Sequence, residues 1–213
     1  MAARDLLSLE EARRAVNLPS PATVNPQDTT LQLFVTGLSG RVDKLCGPVV
    51  QRTITGERHN GGRSKILLSK QHVASVTSVA EWAGTTETTL TEETDGTKPA
   101  AGFLLDPGEG GIYAWIRRRS GNGDAAFPTG RLNVVTTYSA GRYADTTSVD
   151  ETFKLAATAV LRRLYKREQS SWAQSPSYFQ DTDNPTASVG FYKAVDPMIK
   201  ELLCDELLPP VGL

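Results

Sequence analysis

From Val49 to Tyr143 the chain breaks into short runs of Val, Ile, Thr, Tyr and Trp punctuated by Gly, Asn, Asp and Pro, whereas the segments on either side repeat apolar residues at helical spacing. A period of two belongs to a strand and a period near 3.6 to a helix, so the chain must set a sheet between helices. The β-branched and aromatic enrichment of the block points to antiparallel pairing. Strands are expected at Val49 to Thr55, Lys65 to Ser69, Ser75 to Trp82, Glu87 to Leu90, Phe103 to Leu105, Gly111 to Arg117 and Arg131 to Tyr138. Val73, Val76, Val79 and Trp82 recur every three residues, and their Val, Ser and Thr surroundings predict a strand with a bulge over a helix. Ile112, Ala114 and Ile116 alternate with Tyr113, Trp115 and Arg117, one set for a core and one for solvent.

The flanks read as helices. Ser8 to Glu11 has the capping-box spacing and starts a short helix that Pro19 ends, with Leu9, Ala12 and Val16 on one side. Asn25-Pro26 starts a second, in which Leu31, Phe34, Val35, Leu38, Val42 and Leu45 form one stripe before Gly47-Pro48 stops it. Gly37 and Gly40 weaken this helix and predict close approach of another element. Ser148-Val-Asp-Glu151 is a second capping box, opening the longest helix, which runs to about Ser170 with Phe153, Ala156, Ala157, Val160, Leu161 and Leu164 as its core stripe. Leu155, Ala159 and Arg162 fall on the opposite side, where a monomer presents polar groups, so this face predicts a partner. After Trp172 the Gln-Ser-Pro-Ser and Asp-Thr-Asp-Asn-Pro turns indicate an extended linker, and Asp196-Pro197 starts a last short helix. Its Met198, Ile199, Leu202 and Leu203, with Leu207 and Leu208, spread around most of the circumference and predict docking.

Composition narrows function more by exclusion than by assignment. A formal net charge of -1 argues against a surface that wraps nucleic acid, and no apolar run reaches the roughly 18 residues that cross a bilayer. Cys46 and Cys204 sit in apolar helical patterns as small hydrophobes, with no disulfide expected. His59 and His72 lack Cys or acidic residues at ligand spacing and predict loop or surface roles; no metal, cofactor or catalytic centre is expected, nor is there a nucleophile elbow or phosphate loop. Glu92 with Glu93, and Asp181 with Asp183, read as solvated loop acids. Arg58-His-Asn-Gly-Gly-Arg63 and Arg117-Arg-Arg-Ser-Gly-Asn-Gly-Asp124 read as hairpin tips, with phosphate contact as the alternative. Arg162, Arg163, Lys166 and Arg167 complement the negative end of the long helix. Trp115 suits a core at least as well as a partner contact, and Trp172 is the better interface candidate.

One family matches the combination. Phe127-Pro-Thr-Gly-Arg-Leu-Asn-Val-Val-Thr-Thr-Tyr-Ser-Ala-Gly-Arg-Tyr143 followed by Leu161-Arg-Arg-Leu-Tyr-Lys-Arg-Glu168, together with Leu7-Ser-Leu-Glu-Glu-Ala12 and the Val73 to Val79 run, resembles the head-to-tail adaptor (connector) proteins of long-tailed double-stranded-DNA bacteriophages. The chain departs from simpler members by the Gly- and Thr-rich stretch from Gly84 to Gly111 and by the linker from Ser170 to Lys193. The resemblance implies an α+β fold: a small helical bundle with a long central helix, an antiparallel β-rich insertion and an extended C-terminal arm with a short helix. It organises the chain as a single domain with N-terminal helices over 1–46, the insertion over 47–143, the long helix over 144–172 and linker and docking arm over 173–213.

What the resemblance further implies is a structural virion protein, not an enzyme, assembled in the host cytoplasm. Twelve copies would form a ring below the portal at the neck, join the DNA-filled head to the tail and extend the DNA channel. Met198, Ile199, Leu202, Leu203, Leu207 and Leu208 would form the portal-docking arm, and Leu155, Ala159, Arg162, Lys166 and Trp172 one subunit interface, since a closed ring needs two different faces. One of the two loops, that of Arg58 and Arg63 or that of Arg117, Arg118 and Arg119, would face the channel and touch passing genomic DNA without reading sequence. The partners are itself, the portal protein and a stopper or other neck or tail protein, with no membrane. Alternatives are another neck or tail-completion protein, such as a stopper or tail terminator, and a nucleic-acid-binding module.

Overall fold

The computed structural model describes residues 4–19, 27–108, 111–173, 197–203 and 207, with the backbone alone over 167–173. The chain is α+β, and its described residues fall into two compact units. One is helical, on either side of the insertion, and the other is the sheet from Gln51 to Arg142.

In the helical unit, α1 (Leu9–Ala15) begins at the capping box read from sequence: the Ser8 hydroxyl accepts from the Glu11 amide at 3.2 Å, and the Ser8 amide donates to the Glu11 carboxylate at 2.7 Å. It stops earlier than Pro19. Asn17 turns left-handed at φ 59, and the amides of Asn17 and Leu18 close back on the carbonyls of Arg14 and Arg13. The second helix, α2 (Gln27–Cys46), buries Leu31, Val35, Leu38 and Val42 as predicted. It adds Ser39, whose hydroxyl accepts from the Leu6 amide and ties the N-terminal segment to the bundle.

The third, α3 (Glu151–Ala173), is not capped by Ser148; that hydroxyl bonds Asp145, and the Asp150 carboxylate instead accepts from the Thr152 amide at 2.8 Å. Phe153, Ala156, Ala157, Val160, Leu161 and Leu164 enter the core with the α2 stripe, each large side chain stabilising by about 1.5–3 kcal/mol. Arg13 and Asp28 are buried as a bidentate pair between α1 and α2. The short helix α4 (197–202) changes the expectation for the arm. Ile199 and Leu203 are buried in the core of the chain's own helical unit, and Met198 and Leu207 pack partly against it, leaving Leu202 exposed.

The sheet unit contains β1 (Arg52–His59), β2 (Lys65–Leu67), β3 (Val73–Ala83), β4 (Thr86–Glu92), β5 (Gly102–Asp106), β6 (Trp115–Ser120), β7 (Gly123–Asp124) and β8 (Val134–Ala140). Their order is β1-β8-β3-β4-β5-β6-β2, with β7 paired to β6. The predicted antiparallel sheet is in fact mixed, because the chain between Glu93 and Ala101 carries β5 back to run parallel to β4. Irregular register in β3 confirms the bulged strand. Strand β8 lies between β1 and β3: Val134, Thr136, Tyr138 and Ala140 point into a core shared with Val79, Leu90, Phe103, Ile116 and Phe127, while Val135, Thr137 and Ser139 point out.

Two strand boundaries move for identifiable reasons. β1 starts after Val49 and Val50 because both are buried in the helical core. β6 starts at Trp115, since Ile112 is occupied by the His72 amide, and runs on through the arginines because carboxylates neutralise them.

Candidate interaction surfaces

On α3 the predicted outward face holds together. Leu155 is 66% exposed, Ala159 half-exposed, and Arg162 and Lys166 exposed. Alongside, α1 and α3 bound an open groove of about 320 Å³ lined by Leu7, Ala15, Leu155 and Thr158. Its walls are preset by charge. Lys154 Nζ sits 3.0 Å from a Glu11 carboxylate oxygen, and Arg162 Nε donates to the Ala15 carbonyl at 2.7 Å, satisfying the end of α1. Burial alone would raise Glu11, but the Ser8 amide and Lys154 outweigh it and hold its carboxyl below the ordinary value. The side chain of Trp172, and Leu208, Cys204, Asp181, Asp183 and Asp196, lie outside the described residues.

The three consecutive arginines sit on strand β6 and not at a hairpin tip. Arg117 pairs with Asp106 at 2.7 Å, and Arg118 forks onto Glu81 through contacts of 2.8 and 2.9 Å. Arg119 bonds Glu93 at 2.6 Å and also Asp124. Glu93 is therefore no solvated loop acid. Arg119, then Lys98, hold it ionised below its ordinary range while it is buried. Each positive charge of the run is offset within the sheet unit, which leaves little net field for phosphate. Arg58 and Arg63 differ: both are exposed, and no carboxylate among the described residues pairs with them. Trp115 is half-buried on the row opposite Ala114 and Ile116, as the alternation predicts, with Lys65 Nζ 4.8 Å from its ring.

A polar cluster invisible in sequence joins β1 to β8. The Tyr138 hydroxyl donates to Glu57 at 2.6 Å, the Ser69 hydroxyl donates to the same oxygen at 2.7 Å, and His59 Nε2 lies 3.0 Å from the other carboxylate oxygen. Burial pushes Glu57 up, yet these donors leave it below its ordinary value. Burial also depresses His59, against the pull of Glu57, and pushes Tyr138 up to about 12. His59 is thus a half-buried strand residue, not a loop histidine. Among the described residues no group of three or more His, Cys, Asp or Glu side chains could hold a metal ion. The cluster sits at the register shift of β1 between Ile54 and Glu57.

Above the β1–β2 turn, Gly61 donates to the Gly130 carbonyl at 3.1 Å and to Asn133 Oδ1 at 2.9 Å, and the Leu132 amide donates to Asn60 Oδ1 at 2.8 Å. This clasp holds Leu132 in the left-handed region at φ 52. No helix among the described residues is long and apolar enough to cross a membrane.

No protein-family model matches the chain, and no curated protein matches it. Solved structures from gene transfer agent particles are similar to it. A chain in the neck of an empty gene transfer agent particle, computed with C6 symmetry, superposes with a TM-score of 0.53 at 18% identity, over 92% of this chain and 89% of that one. A chain in the virion of the native gene transfer agent particle gives 0.47 at 17% identity, over 92% and 89%. The chain therefore has the fold of a protein found in the neck of a phage-like particle.

Proposed function

We propose that this chain is a structural neck protein of a phage-like virion, a head-to-tail adaptor that forms a ring below the portal and continues the DNA channel toward the tail. The observation that carries the reading is the fold shared almost end to end with a chain of a particle neck. Leu155 supports self-association because it lines one groove with Leu7 and Ala15, and an apolar patch rimmed by polar groups marks an interaction surface. The neutralised Arg117, Arg118 and Arg119 suit a passage through which DNA slides without being gripped. Arg58 and Arg63 remain the basic groups for weak contact with it. Portal contact by the arm narrows to the Leu202 side of α4, since Ile199 and Leu203 serve the chain's own core.

The test is location. Antibodies raised against the chain and applied to intact particles should mark the junction of head and tail. Labelling spread over the head or along the tail overturns the reading. Co-purification with the portal protein, retained by the full chain and lost by Leu202→Asp, tests the finer assignment; equal recovery of both removes the arm from portal binding.

A further inference from the structure

A closed ring needs a second, different face on each subunit, and α2 carries a candidate. We infer that the α1–α3 groove receives the outward side of α2 from a second copy of this chain, the two helices α2 and α3 lying antiparallel with Lys44 against Glu151. The inference rests on the ring reading above and names the partner surface for it.

Three observations converge. First, the outward side of α2 is as unusual as that of α3. Leu33 is 69% exposed and lies opposite the buried stripe of Leu31, Val35, Leu38 and Val42. Among the described residues it and Leu155, at 66%, are the two most exposed large apolar side chains, one per helix. Secondly, the two sides share one spacing. Leu33, Gly37, Gly40 and Lys44 follow the same intervals as Glu151, Leu155, Thr158 and Arg162, each set spanning about 16 Å along one stripe of its helix. A Cβ placed on Gly37 or Gly40 would meet nothing within 4 Å, so the bare backbone there is open to an approaching side chain.

Thirdly, charge chooses the direction. Lys44 and Glu151 are both exposed, and neither has an opposite charge paired with it among the described residues. Antiparallel alignment joins them and brings Gly40 to Leu155, Gly37 to Thr158, and Leu33 to the stem of Arg162 beside Ala15. Leu155 then fills the notch over the glycines. The parallel alternative would set Lys44 against Arg162, like charge against like.

Sedimentation of the full chain over a concentration series tests this. The parent is expected to self-associate. Lys44→Glu and Glu151→Lys should each weaken association about tenfold, and the two reversals combined in one chain should restore it. Gly40→Gln should abolish association while leaving the thermal midpoint of the dilute, unassociated chain unlowered, which separates a blocked contact from a damaged fold. Association that survives Gly40→Gln, or reversals that fail to rescue each other, overturns this contact and leaves the ring to another surface. A parent chain that stays monomeric at millimolar concentration overturns both the contact and the ring, while location at the neck stands or falls on the antibody labelling alone.

Discussion

Glycine is used in opposite ways in the two units, and the contrast separates what the chain explains by itself from what it does not. In the sheet unit a Cβ on Gly61 would lie 1.9 Å from the Pro128 carbonyl oxygen, so the fold itself excludes any side chain there. In the helical unit Gly37 and Gly40 stand mid-helix with nothing within 4 Å of where a Cβ would go. Each sacrifices about 0.8–1 kcal/mol of helix propensity relative to alanine with no compensating contact among the described residues. Charge and apolar surface divide this way only in part, since Arg58 and Arg63 of the sheet unit have no carboxylate partner among the described residues and its Leu67 and Leu132 are exposed. The sheet unit matches the arginines of β6 with carboxylates of its own, whereas the helical unit leaves Leu33 and Leu155 in water. A feature with no internal cause points outward.

If the sheet unit is self-sufficient, breaking one of its internal matches must be costly. The largest effect is expected at Arg118→Met, which strands Glu81 without its partner in a site where the two side chains are 11% and 7% exposed. Loss of about 3–5 kcal/mol is expected by denaturant titration. The double variant Glu81→Leu with Arg118→Met should return to within about 1.5 kcal/mol of the parent. A double variant as unstable as the single one would mean that the pair holds more than its own charges.

Gly61→Ala comes next. The obstruction is a backbone oxygen that cannot rotate away, so the β1–β2 turn and the Pro128 segment must separate, at a cost of about 1–3 kcal/mol. Unchanged stability would show that the clasp between these loops is loose and would erase the contrast with α2.

The Tyr138 cluster gives the sheet unit a pH signature of its own. Tyr138 is raised from an ordinary value of 10.0 to about 12, so its contribution is full below pH 10 and lost as pH climbs between the two. His59 is depressed below 6.5, so the folded state resists protonation and stability falls as pH drops from 6.5 toward its folded value. Glu57, depressed below 4.5, adds a further loss as pH falls from there. Thermal melts of the sheet unit should therefore peak between about pH 6.5 and 10. Tyr138→Phe should lower stability by about 1–2 kcal/mol at pH 8 and flatten the alkaline limb. An alkaline limb that persists in that variant would move its origin away from Tyr138.

These features differ in how far they can be seen from sequence. Ser8 and Glu11 are three residues apart, and their capping geometry is dictated by local helical spacing. The outward placement of Leu155 follows from periodicity alone. By contrast Arg13 reaches Asp28 across 15 residues, Arg118 reaches Glu81 across 37, and Tyr138 reaches Glu57 across 81. Such pairs are set by topology, which propensity does not encode. The short helix α4 shows the limit from the other side. Its all-round apolar pattern correctly implied that something covers it, but Ile199 and Leu203 are covered by the chain's own core. Gly37 and Gly40 read from sequence as sites of close approach, but in the fold a Cβ at either would meet nothing within 4 Å.

The smallest expected effect is also the one with opposite sign. Gly40→Ala, and equally Gly37→Ala, adds a methyl group into open space on a helical backbone, so the subunit should gain about 0.5–1 kcal/mol through helix propensity and a less flexible unfolded chain. Gly61→Ala must lose stability under the same conditions. If instead alanine at Gly40 destabilises the dilute chain, some element of the subunit does approach α2 there, and the glycines belong to its internal packing like those of the sheet. If it stabilises the chain, these residues keep a subunit less stable than it could be, and the reason has to lie in what α2 touches after folding is complete.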